Sequence, residues 1–124
     1  MSLENKIGRV ASLHIHPPIA REPFLSVAEL NMVAEKGILE DKRYFGRKSR
    51  TGGPFKRQVS LIEREIIQQH ADKLGADFSP GQVRSNIETS GIDLISLIGC
   101  EVQIGEAILA FIEPRTPCEQ MNTL

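Results

Sequence analysis

Short apolar runs, each broken by Gly, Pro or charged residues, dominate this chain. Ile7 to Ile15 carries Val10, Ala11, Leu13 and Ile15 and predicts a strand. Pro17-Pro18 ends it, because proline brings no N–H to a ladder. Val27 to Ala34 predicts a second strand, followed by a turn at Lys36-Gly37. Gln58 to Ile62 predicts a short strand, and Glu63 to Leu74 is the one clear helix. There Ile62, Ile66, Ile67, Ala71 and Leu74 recur at helical spacing, with Gly75 placed to terminate. Glu63 and Glu65 sit toward the positive end of that helix dipole and Lys73 toward the negative end. Val83 to Thr89 predicts another strand, and Asp93 a cap for a single turn with Leu94, Leu97 and Ile98. Cys100 to Ile104 and Ala107 to Ile112 predict a hairpin around Gly105-Glu106. Leu109 to Ile112 shows no alternation, which predicts burial on both faces. Many short strands with one or two helices indicate a mainly β fold, a closed or partly closed β-barrel with a helix packed on it. Neither a repeat nor an internal linker is visible, so residues 1–124 read as a single domain.

Composition narrows the class. The hydrophobic fraction of 40% and charged fraction of 25% are those of a soluble globular protein. A net charge of -1 gives no global field for nucleic acid or an acidic membrane surface. Met-Ser-Leu-Glu-Asn-Lys does not resemble a signal peptide, and no apolar run has the ~20 residues of a membrane span. The expectation is a cytoplasmic protein with neither a membrane nor a nucleic-acid partner. Its two cysteines, Cys100 and Cys118, do not suggest a disulfide scaffold. His14 and His16 would project from one side of a strand. That spacing could offer two metal ligands, but no third is evident, and strand-face histidines are the simpler reading.

Three segments carry candidate chemistry. Lys42, Arg43, Arg47, Lys48, Arg50, Lys56 and Arg57 fall in a stretch with no Asp or Glu. Such a cluster can hold a phosphate or serve as a solvated loop. Arg84 to Leu94 gathers Arg84, Ser85, Asn86, Thr89 and Ser90. These groups suit either a heterocycle edge and phosphate or turn and cap chemistry. Cys118 follows the last apolar run on the turn Glu113-Pro114-Arg115-Thr116-Pro117. A thiol there, beside Arg115, is either a nucleophilic or metal-ligating sulfur or a small buried hydrophobe.

Taken in order, these segments resemble the MOSC domain, the C-terminal domain of molybdenum cofactor sulfurases. Gly37-Ile38-Leu39-Glu40-Asp41-Lys42-Arg43-Tyr44 resembles the family's Gly-Ile/Leu-x-Gly-Asp-Arg-Tyr segment. Arg57-Gln58-Val59-Ser60-Leu61-Ile62, Arg84-Ser85-Asn86-Ile87 with Gly91-Ile92-Asp93-Leu94, Gly105-Glu106-Ala107, and Arg115-Thr116-Pro117-Cys118 with Met121 resemble its remaining motifs. The resemblance implies a β-barrel that binds molybdenum cofactor (molybdopterin) or handles its sulfur. It implies sulfur carriage or molybdenum ligation by Cys118, and cofactor contacts from Arg43, Arg84, Asn86, Thr116 and Pro117. It also implies either sulfur transfer or molybdenum-dependent oxidoreductase chemistry. The alternatives are a non-catalytic module for a pterin or other anion, and a sulfur acceptor. A cysteine desulfurase or a molybdoenzyme would be the protein partner, and pyridoxal phosphate would belong to that desulfurase. Glu40 stands where the family often has Gly, and Lys42 is an extra residue before Arg43. The domain is short at its C-terminus relative to the family, which implies a site open on one side.

Overall fold

The computed structural model describes residues 7–19, 21–42, 45–46, 48, 50–53 and 58–112. Its main sheet has four strands: β1 (Arg9–Ile15), β2 (Leu25–Val27), β5 (Leu61–Glu63) and β6 (Ile87–Ser90), in the order β2-β1-β6-β5. β1 is antiparallel to both β2 and β6, whereas β5 and β6 run parallel. The parallel pair is connected through α1 (Arg64–Leu74), since parallel neighbours need a long crossover. Two hairpins complete the described structure: β3 (Met32–Val33) with β4 (Gly37–Ile38), and β7 (Glu101–Ile104) with β8 (Ala107–Ala110). The fold is mainly β with one α-helix, as expected. The sheets do not close into a barrel among the described residues.

α1 buries Ile67 and Ala71 against Phe78 and Val83, with Ile62 packed at the margin. Burying an isoleucine contributes roughly 2 kcal/mol, so this small cluster fixes the helix to the sheet. Leu74 faces largely outward, at the end of the apolar stripe. Gly75 terminates the helix in the left-handed conformation (φ 64°), and its N–H donates to the Ala71 carbonyl. The β7–β8 hairpin turns at Gly105-Glu106 as expected.

Four local expectations change. The run Val27 to Ala34 is not one strand, because the chain leaves β2 and starts a new hairpin at Met32. Both Asn31 groups are drawn to the Glu40 carboxylate: its backbone N–H donates at 2.6 Å and its side-chain amide at 2.7 Å. That clamp ties the break to the far side of the β3–β4 hairpin. The segment 83–86 is not strand either, since Arg84 has φ 61° and its N–H turns back to the Gly81 carbonyl. β8 alternates between half-buried and exposed residues, with Ile108 66% exposed, so its two faces differ. The single turn after Asp93 is a 3-10 turn, Ile95–Leu97. Asp93 contributes its carbonyl, which accepts from the Ser96 hydroxyl, in place of a side-chain cap.

One residue in β1 is irregular. Val10 pairs with Thr89 and Ser12 with Glu88, so Ala11 is an extra residue, a β-bulge.

Gly81 and Gly75 separate conformational strain from steric exclusion. Both are left-handed, but a Cβ on Gly75 meets nothing within 4 Å, while one on Gly81 would lie 2.7 Å from the Phe24 carbonyl oxygen. Gly75→Ala is expected to lose roughly 1–2 kcal/mol, from strain alone. Gly81→Ala is expected to lose about 2–5 kcal/mol, because backbone must also move. Urea unfolding of the two variants measures the difference.

Candidate functional site

Among the described residues six polar ones are buried: His14, Asp41, Ser85, Asn86, Glu88 and Thr89. All but Thr89 meet beside the paired strands β1 and β6, and hydrogen bonding makes their burial tolerable. Asn86 is the centre. Its side-chain oxygen accepts from the Ser60 N–H and hydroxyl, both at 3.1 Å. Its amide nitrogen donates to the His14 carbonyl at 3.1 Å and to Asp41 Oδ2 at 3.0 Å. Its backbone N–H donates to Ser60 Oγ, and its carbonyl accepts from the His14 N–H. One side chain therefore joins β1, the residue leading into β5, and the turn after β4.

Asp41 occupies that turn, its N–H donating to the Ile38 carbonyl. His16 Nδ1 donates to Asp41 Oδ2 at 2.6 Å. Burial pushes the Asp41 carboxyl up, but the hydrogen bonds from His16 and Asn86, with the nearby His16 charge, outweigh it and hold the carboxyl below its ordinary value. Asp41 Oδ1 is buried with no hydrogen-bond partner among the described residues. The His16 ring packs on Phe24, centroids 4.2 Å apart. Arg84 lies over Phe24 at 5.3 Å and donates to the Glu22 carbonyl at 2.5 Å. An open cleft of about 630 Å³ borders this group, lined by Ile15, His16, Pro17, Pro18, Leu25, Glu40 and Lys42.

Behind it lies a charged pair. Glu88 is fully buried and accepts from Arg64 at 2.7 Å and from the Gly81 N–H at 2.7 Å. His14 is also fully buried, and its Nδ1 donates to the Ser85 carbonyl at 2.9 Å. His14 and His16 thus serve different partners. Among the described residues no group of three or more His, Cys, Asp or Glu could hold a metal ion.

Residues 41–124, more than half of the chain, match the family model of the MOSC domain. The chain belongs to the MOSC domain family. Its fold likeness extends further than the family match. A crystal structure of a hypothetical protein superposes with a TM-score of 0.67 at 21% identity, over 95% of this chain and 52% of that one. At that identity the likeness carries the fold alone, and this MOSC chain spans about half the length of that protein. No curated protein matches it. No helix among the described residues is long and apolar enough to cross a membrane.

Of the residues singled out in the sequence of this MOSC domain, Arg84 and Asn86 lie in the turn before β6, Arg84 over Phe24 and Asn86 bonded to Asp41, and neither is among the residues that line the cleft. Arg43, Thr116, Pro117 and Cys118 lie outside the described residues. Lys42, next to Arg43, lines the cleft. The sequence reading did not single out Asp41 or Glu88, and weighed His16 only as a metal ligand beside His14. Asp41 stood in the quoted Gly37–Tyr44 segment, and His14-x-His16 had the correct strand parity. Glu88, a carboxylate beside Ile87 in a buried strand, was the other readable signal.

Two outcomes follow. Glu88→Ala removes the partner of the partly exposed Arg64 and leaves the Gly81 N–H unmet, and is expected to cost about 1–3 kcal/mol in urea unfolding. Asp41 ionises more readily when folded than when unfolded, so its pairing adds stability above about pH 4 and loses it as acid protonates the folded carboxyl. The stability gap between wild type and Asp41→Asn is therefore full near pH 6 and narrows below about pH 4, as urea midpoints across that range would measure.

Proposed function

We propose that this chain is one MOSC-type domain that binds molybdenum cofactor and carries sulfur, or ligates molybdenum, through Cys118. The observation that carries the reading is the family match over 41–124, which includes that cysteine. A phosphate-bearing pterin needs a cleft of suitable size and cations held in place. A cleft of about 630 Å³ falls within the ordinary range for small-molecule sites. Lys42 lines it, and Arg84 lies over Phe24, whose ring packs on the cleft-lining His16. Lys42 and Arg84 are the described cations that support this reading.

In this reading Arg43 and Arg84 hold the phosphate end, since guanidinium keeps its charge and can bond two oxygens at once. Thr116 and Pro117 contact the cofactor next to the thiol. Cys118 supplies a soft thiolate, which a cationic site would favour over the thiol. When bound, the cofactor supplies a molybdenum centre that accepts sulfur ligands. Asn86 contributes by position, because both ends of its amide are already hydrogen-bonded within the protein. It holds Asp41 and the Ser85–Arg84 turn where the cleft needs them. Sulfur would reach the domain from a separate pyridoxal-phosphate-dependent cysteine desulfurase, or leave it for a molybdoenzyme.

A second reading is favoured by the exposure of Lys42, Lys48 and Arg50. This is a non-catalytic module that holds a pterin or another anion by the basic loop. The test is to purify the chain from cells that make the cofactor and measure bound molybdenum and pterin. Cys118→Ser is expected to lose most of its molybdenum while its thermal unfolding is unchanged. Full loading in Cys118→Ser, with binding lost on neutralising Arg47, Lys48 and Arg50, would establish the second reading instead.

A further inference from the structure

The β7–β8 hairpin stands apart from the main sheet, and among the described residues β8 pairs with no strand but β7. The ladder runs on past Ala110, where the Phe111 N–H donates to the Cys100 carbonyl at 3.0 Å. In an antiparallel pair, the residues that bond across alternate along each strand. Phe111 bonds toward β7, so Leu109 and Ala107 do too, and Ile108, Ala110 and Ile112 turn their N–H and C=O groups to the open edge. The side chains of those same residues share one face of the hairpin. That face is bare: Ile108 is 66% exposed, Ile112 is 55% exposed, and Ala110 is exposed between them. An open backbone edge and an apolar face therefore coincide on one strand.

Native sheets guard such edges with charge, proline or very short strands. β2, at one edge of the main sheet, is only Leu25–Val27. The outer edge of β7 is guarded as well, since the residues that bond outward there are Glu101 and Gln103. β8 lacks these devices. Ala107 to Ile112 reads Ala-Ile-Leu-Ala-Phe-Ile, with no charge and no proline.

We infer that β8 is the docking edge for a second copy of this chain, joined as an antiparallel ladder about a two-fold axis at Ala110. In that register Ile108 pairs with Ile112 of the second copy, Ala110 with its own counterpart, and Ile112 with Ile108. Every outward-bonding residue of the edge then exchanges backbone bonds with the other copy. The isoleucines meet as cross-strand pairs on the bare face, and the smallest side chain lies at the axis. Charge supports this occupant. The edge sets no like charges against each other in a self-pair, and it offers no counter-charge to a charged segment. Glu101 of each copy stays one strand further out, in β7. The contact is isologous and closes at two copies. A single-strand contact falls below the ~1,200 Å² at which standard interfaces begin, so the dimer forms and dissociates with concentration. The inference stands apart from the cleft and from the reading of Cys118.

The test uses the full chain. Sedimentation equilibrium from ~20 μM to ~1 mM measures association, and amide exchange by NMR locates it. Wild type is expected to pass from monomer toward dimer over that range. The amides of Ile108, Ala110 and Ile112 are expected to exchange at least ~3-fold more slowly at the upper concentration, while that of Leu109, already bonded to β7, is unchanged. Ile108→Lys places a charge on the edge at an exposed position and is expected to weaken association at least ~10-fold. Ala110→Pro removes an N–H that β7 does not use and is expected to act likewise. A wild type still monomeric at ~1 mM overturns the inference. So does a dimer in which those amides exchange as fast as in the monomer, or one that folded Ile108→Lys forms as well as wild type. If the same amides slow only when cell extract is added, the occupant is another protein and the second copy is excluded. The wild-type measurements need no variant to fold.

Discussion

Everything near the cleft depends on one amide. Asn86 is almost completely buried, and a buried amide is tolerable only if its donors and acceptors are all met. Here they are met by three separate parts of the chain: Ser60 ahead of β5, His14 in β1 and Asp41 after β4. Leaving one such group unsatisfied costs about 1–3 kcal/mol, so the three segments are held to one arrangement. The parallel β5–β6 pair, the antiparallel β1–β6 pair and the Asp41 turn are therefore locked by a polar rivet more than by apolar packing.

The apolar core is correspondingly small and lies elsewhere. Ile67, Ala71, Phe78 and Val83 pack together, with Ile62 at the margin. Glu88 belongs to neither set alone. Its carboxylate takes Arg64 from the helix and the Gly81 N–H from the turn before β6, so it orders the segment that carries Arg84. The strain of a left-handed arginine, roughly 1–2 kcal/mol, is offset by that ordering. A buried ion pair of this kind is weak evidence for stability and better evidence that a particular arrangement is being specified.

What could be read from the sequence had local causes. The helix, its glycine terminator and the β7–β8 hairpin follow from periodicity and turn chemistry within a few residues. So does the mainly β character. The break between β2 and β3 was not legible, because Asn31 answers to Glu40 across a hairpin. Nor was the bend at 83–86, because Arg84 is turned by Gly81. Asn86 and Arg84 could be singled out by motif, but the role of Asn86 could not. Its partners lie 26, 45 and 72 residues away along the chain. Asp41 and His16 were invisible as a pair for the same reason, since neither residue's neighbours hint at the other.

The bulge at Ala11 sets the reading frame of β1. In a regular strand, residues on one face keep their side from end to end. The extra residue between Val10 and Ser12 changes the frame against β6, so the stretch leading to His14 and His16 faces the polar seam instead of following the side of Val10. The histidines owe their address to a residue whose own side chain is a single methyl group. A chain that lost Ala11 would be shorter by one residue, yet it would present a different face of β1 to the cleft. Length changes in this strand are therefore not equivalent to length changes in a loop: they exchange the inside of the molecule for the outside.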